Sequence, residues 1–146
     1  MQFSGTERIA ASRAAVWSFL MDPRQVGACG PGVESVEPID ATHFKAVAKV
    51  GIGFISARFV VNMEMADLVE LESAVLKAHG QAPGSAVDAT ATMRLSAESE
   101  AETTLTWQAD VAISGTLASV GARLIQGTAQ KMIGQTFACI RTKLEA

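Results

Sequence analysis

From residue 42 to residue 113 apolar and polar side chains alternate with a period of two; before it, from residue 12, and after it, from residue 115, the period lengthens to about 3.6. A period of two sends successive side chains to opposite faces of a strand, whereas the longer period builds one face of a helix. The segment "THFKAVAKV" sets Phe44, Ala46, Ala48 and Val50 against His43, Lys45 and Lys49, and "ARFVVNMEM" sets Phe59, Val61, Met63 and Met65 against Arg58, Asn62 and Glu64. "VDATATMRL" opposes Val87, Ala89, Ala91, Met93 and Leu95 to Asp88, Thr90, Thr92 and Arg94, and "TLTWQADVAI" opposes Leu105, Trp107, Ala109, Val111 and Ile113 to Thr104, Thr106, Gln108 and Asp110. A further strand, "SAVLKAHG", adds Ala74, Leu76 and Ala78 to the apolar side. The predicted sheet therefore has one apolar and one polar face.

The segments between these strands, "DLVELES", "HGQAPGS" and "SAESEAE", are short and polar. They leave no room for a crossover helix, so neighbouring strands are predicted to run antiparallel. Upstream, "QFSGTERI" alternates through Phe3 and Ile9 and reads as a first strand. Ser12 then caps "RAAVWSFL", where Val16, Trp17 and Leu20 share a face, and Asp22 followed by Pro23 opens a second short helix in "MDPRQVGAC". "CGPGVES" ends the helical pair as a turn or a lid, and Gly51 and Gly53 in "KVGIGFISA" read as a sheet bulge or a mobile rim.

After residue 115 the stretch "GTLASVGARLIQGTAQKMIGQ" reads as a long helix, although it carries Gly115, Gly121, Gly127 and Gly134. An interior glycine costs a helix about 1 kcal/mol relative to alanine, so these positions imply either close packing or space kept for a ligand. On a helical projection Leu117, Gly121, Leu124, Ile125, Thr128 and Met132 form one arc, which drifts toward Ile133, Thr136 and Ile140. No other element is long enough to cover the apolar face of the sheet. The predicted class is α+β, with one strand, two short helices, about six further antiparallel strands and a long C-terminal helix.

Composition narrows the function classes. With 146 residues, 49% of them hydrophobic and 18% charged, the chain is expected to form a single domain over 1–146 with a sizeable core. No apolar run approaches a membrane span and the N-terminus lacks a signal-like apolar stretch, so a cytoplasmic protein is expected. A net charge of −3 argues against nucleic-acid binding. That charge is uneven: acids dominate from Glu64 to Asp110, whereas Arg123, Lys131, Arg141 and Lys143 make the terminal helix the basic element. Such a helix is compatible with an anionic surface. Cys29 and Cys139 lie far apart without a ligand-spaced companion and read as two reduced, buried thiols, with no metal site and no disulfide.

Catalysis needs an acid, a base or a nucleophile aimed into a cavity. His43, Lys45, Lys49, Arg58, Glu64, His79, Asp88, Arg94 and Asp110 all fall on the polar face, and the chain has no tyrosine, nucleophile elbow or phosphate loop. The expectation is a protein without catalytic residues.

The stretches "MQFSGTERIAASRAAVWSFLMDP", "ACGPGVESVE", "KVGIGFISARF" and "TLTWQADVAISGTLASVGARLI" carry a resemblance that covers nearly the whole chain. In this order of elements it resembles the START-like helix-grip (SRPBCC) superfamily, and more narrowly the CoxG family, named for the G subunit of carbon monoxide dehydrogenase. The resemblance implies a curved sheet of about seven strands wrapped around the long helix, with an apolar cavity between them. It also implies a non-catalytic accessory protein of a molybdenum hydroxylase such as carbon monoxide dehydrogenase. Such a protein would bind a quinone or lipid and help bring the enzyme to the inner face of the membrane. Some members carry a hydrophobic C-terminal tail; this chain, ending "TKLEA", is expected to work without that anchor. A polyketide-cyclase-like or other small-molecule enzyme using the same cavity is the alternative.

The candidate ligand-binding residues follow from the inward sets and the helix arc: Phe59, Val61, Met63, Met65, Met93, Leu95, Trp107, Leu117, Gly121, Leu124 and Thr128. Methionines adapt to irregular apolar ligands but fill packed cores equally well. Trp107 either stacks on a quinone ring or packs. No covalently bound cofactor is expected; the ligand would be a quinone or lipid.

Overall fold

The computed structural model describes residues 1–145. Strand β1 (Gln2–Ile9) is followed by helices α1 (Arg13–Leu20) and α2 (Pro23–Gly27). Six further strands come next: β2 (Val33–Pro38), β3 (His43–Ile52), β4 (Ile55–Val69), β5 (Ser73–Ala82), β6 (Ser85–Ser99) and β7 (Glu102–Gly115). A short 3₁₀ turn (Thr116–Val120) then leads into α3 (Ala122–Leu144). Local chemistry explains the helix starts. Ser12 Oγ accepts from the Ala15 N–H at 3.1 Å and Asp22 Oδ1 from the Arg24 N–H at 3.1 Å, with Pro23 where its missing N–H costs nothing.

All seven strands form one curved antiparallel sheet in the order β1-β7-β6-β5-β4-β3-β2. The apolar and polar sets read from the sequence lie on its inner and outer faces. Register adds what alternation could not, because it aligns inward residues into rows across the strands. Two rows hold mostly small or β-branched side chains, Val61–Gly80–Val87–Ile113 and, beyond Met63, Ala78–Ala89–Val111. Toward the opposite end, Ala74–Met93–Trp107–Gly5 carries bulk, with the Trp107 indole lying over Gly5, where an added Cβ would come within 2.8 Å of Nε1.

The core is accordingly divided. One cluster joins Ile9, Val16, Phe19, Met65, Leu95, Leu105 and Ile140 beneath α1, and a second joins Ile52, Phe59, Ala82, Leu117 and Ile125 at the other end. Full burial of each large aliphatic side chain contributes about 1.5–3 kcal/mol. Helix α3 is pinned at both ends. Its last turns are tied by the Glu7–Arg141 ion pair and by the Ala10 N–H donating to Glu145 Oε2 at 2.9 Å. At its entrance the Leu117 N–H donates to Ser85 Oγ at 3.0 Å.

Three expectations are corrected. Cys29 and Cys139 are not free thiols but a disulfide, with Cα atoms 5.4 Å apart, joining the end of the α2 segment to α3. Folding brings together residues that no local spacing connects. Gly115 and Gly121 are not helical: Gly115 ends β7, and Gly121, at φ +100°, is the turn residue from which α3 starts. The 3₁₀ turn keeps Leu117 on the apolar side, which mimicked a continuous helix. Gly51 and Gly53 make no bulge, since Gly51 pairs with Ser56 and Gly53, at φ +59°, forms the β3–β4 hairpin turn with Phe54.

Candidate ligand-binding cavity

Between its pinned ends α3 stands over the rows of small residues, and an apolar cavity of about 220 Å³ remains there. Its sheet side is formed by Ala48, Val50, Ile52, Phe59, Val61, Ala78, Gly80, Val87, Ala89, Val111 and Ile113. Leu117, Ile125, Thr128, Ala129 and Met132 close the helix side. Thr128 supplies the one polar side chain in this lining, and none of the lining groups titrates. The cavity can shelter an apolar group and offer it a hydroxyl; it holds nothing that would move a proton.

Of the residues singled out from sequence, Phe59, Val61, Leu117 and Thr128 meet at this cavity. Met65 and Leu95 are buried in the cluster beneath α1, and Met93 and Trp107 pack against it. Trp107 stacks on Phe137, with ring centroids 6.0 Å apart and planes at 26°, and its buried Nε1 has no hydrogen-bond partner. Met63 lies half-buried in the Ala78–Ala89 row, outside the lining. Alternation alone places Ala48, Val50, Ala78, Val87, Ala89, Val111 and Ile113 on the inward face without singling them out. The signal is their small size at matched register, and it emerges only once the strands are paired.

Gly121 and Leu124 instead line a groove of about 460 Å³ on the outer side of α3, with Val120, Arg123, Gly127, Thr128 and Lys131. Thr128 belongs to both the groove and the cavity and marks their boundary. The hairpin tip reaches this boundary, since a Cβ on Gly53 would come within 2.8 Å of Leu124 Cδ2. Beside it, Phe54 is 84% exposed and Leu124 43% exposed. Among the described residues neither Arg123 nor Lys131 takes part in an ion pair.

The polar face of the sheet carries larger but open hollows. One, about 750 Å³, runs past His43, Asn62, Glu64, Lys77, His79, Asp88, Thr90 and Asp110. Within it His79 Nδ1 and Asp88 Oδ1 meet across the strands at 2.6 Å. Elsewhere on the exposed surface Arg58 Nε donates to Glu34 Oε1 at 2.5 Å, which lowers the Glu34 pKa and raises that of Arg58. The described residues contain no cluster of histidine, cysteine and carboxylate groups able to hold a metal ion, and no helix long and apolar enough to cross a membrane.

Solved structures share this architecture. A conserved protein from Geobacillus kaustophilus superposes with a TM-score of 0.92 at 25% identity, covering 99% of this chain and 95% of its own. The Zhui aromatase/cyclase from Streptomyces sp. R1128 gives 0.75 at 14% identity, covering 99% and 93%. A START superfamily protein from Mycobacterium smegmatis gives 0.71 at 14% identity, covering 99% and 97%. The fold is therefore START-like. None of the curated proteins matches the chain in sequence. The family model for CoxG, the G subunit of carbon monoxide dehydrogenase, matches residues 5–145, and the chain belongs to the CoxG family.

Proposed function

We propose that this protein is a non-catalytic binding and delivery protein that holds a quinone or a lipid chain beneath α3. It would bring a molybdenum hydroxylase of the carbon monoxide dehydrogenase type to the cytoplasmic face of a membrane. The observation that carries the reading is the apolar, non-titrating cavity left where α3 bridges the two core clusters. The family's name supports the enzyme partner. Membrane contact is supported by the groove beside the cavity, where exposed Phe54 and Leu124 lie against the N-terminal half of α3, which also carries Arg123 and Lys131. Apolar side chains beside lysine and arginine suit an anionic bilayer surface. The cyclase-like alternative would need an acid or base in the cavity lining.

The test is native mass spectrometry of freshly purified protein, followed by organic extraction and identification of what is released. A stoichiometric quinone or lipid supports delivery. Protein that stays empty after incubation with membranes removes it.

A further inference from the structure

The cavity is small for a whole ligand. Sites that enclose a drug-sized molecule run to about 300–1,000 Å³, whereas this one measures about 220 Å³. It can take one slender apolar segment, and the remainder of the molecule has to lie outside. Thr128 is where inside meets outside, and beyond it the groove offers another 460 Å³ or so. The groove floor is bare backbone at Gly121 and Gly127, where an added Cβ would meet nothing within 4 Å. Arg123 and Lys131 stand on this face about 12 Å apart along the helix axis, one on either side of Gly127. Among the described residues no carboxylate lines the groove.

From this juxtaposition we infer that the ligand is a single-chain amphiphile with an anionic head, its chain in the cavity and its head oxygens between Arg123 and Lys131 beside the Thr128 hydroxyl. The inference rests on the proposed binding function and, of its two ligands, chooses the lipid chain over the neutral quinone. Two unpaired cations over an otherwise apolar opening favour negative charge there, and charge-assisted hydrogen bonds are the strong ones. A carboxylate and a phosphate monoester share this chemistry.

Isothermal titration of the full chain with dodecanoate, dodecyl phosphate, dodecanol and a short-tailed benzoquinone, each kept below its aggregation concentration, tests the assignment. The two anions should bind at least about tenfold more tightly than dodecanol, the equivalent of one charge-assisted hydrogen bond. The tighter of the two distinguishes a fatty acid from a phospholipid-derived head. Charge reversal of the exposed pair, Arg123→Glu with Lys131→Glu, should abolish that preference, with a cooperative thermal melt confirming that the variant is folded. Equal binding of dodecanol and the anions, binding of the benzoquinone alone, or a preference that survives charge reversal would each overturn the anionic head while leaving the apolar cavity in place. If none of the four probes binds, the delivery reading falls with it.

Discussion

A glycine in the middle of a helix needs a reason, and α3 contains Gly127 and Gly134 in its interior. Neither is there for close packing, since an added Cβ at either position meets nothing within 4 Å. Gly127 floors the groove beside the cavity, but Gly134 is exposed and lines neither. Gly134→Ala should therefore raise stability by about 1 kcal/mol in a denaturant titration, the full helix-propensity difference. A loss would reveal a close neighbour. Asp40, before β3, poses a different residue-scale question. Its carboxylate accepts from the backbone N–H groups of Thr42 and His43 at 2.9 and 2.8 Å and faces the His43 ring at 3.0 Å. The Thr42 N–H, then the two His43 groups, lower its pKa from 3.8 to about 2. Because the folded value is the lower one, the stabilisation is complete above 3.8 and is lost as the pH falls toward 2. Asp40→Asn should thus be less stable than the parent at neutral pH, with the gap closing through that window in parallel melts. Local chemistry of this kind was partly legible: the caps at Ser12 and Asp22 could be read directly, because a cap is a contact between near neighbours. The Cys29–Cys139 pair could not, because the whole sheet intervenes.

At the scale of elements, α3 is a beam supported at its ends. Ile125 and the preceding turn sit in one core cluster, and Ile140, the disulfide and the Glu7–Arg141 pair fix the other end. The residues between, among them Thr128, Ala129, Met132 and Ile133, stay half-buried. Cross-linking Cys29 to Cys139, 110 positions apart, restricts the unfolded chain over most of its length. Cys29→Ser with Cys139→Ser, or reduction of the parent, should lower unfolding stability by about 2–4 kcal/mol in denaturant titrations. An unchanged midpoint would mean that packing and the ion pair hold that end alone. The long helix and its apolar arc were visible in the 3.6-residue period, but its starting point was not. A 3₁₀ turn keeps Leu117 on the same side as Ile125, so periodicity carried the helix backward across Gly121. The Gly51–Gly53 segment misled for a similar reason, since a two-residue hairpin turn and a bulge both favour glycine.

On the scale of the whole molecule, the fold was legible because strict alternation specifies which face of each strand is apolar, and a one-sided sheet demands a cover. The site was less so, because alternation names a face without naming a row. Rows depend on register, and register set the small residues Gly80, Ala78 and Ala89 side by side under the unsupported middle of α3. Met65 and Met93 went instead to the filled end, consistent with a role as gap fillers, and Met63 stays half-buried outside the lining. If the void is the binding site, then filling it from the helix side should separate binding from folding. Ala129 lines the cavity, and leucine is as good a helix former as most. Ala129→Leu would place an isobutyl group in space that is otherwise vacant, so stability should hold or rise by about 0.5–2 kcal/mol, the usual gain from cavity filling. Uptake of dodecanoate or a short-tailed quinone should fall at least about tenfold, because one lost anchoring contact of about 1.4 kcal/mol already accounts for that factor. Undiminished uptake by a stably folded variant would place the ligand outside the cavity, whereas a large loss of stability would mean that α3 already rests on the sheet at this point.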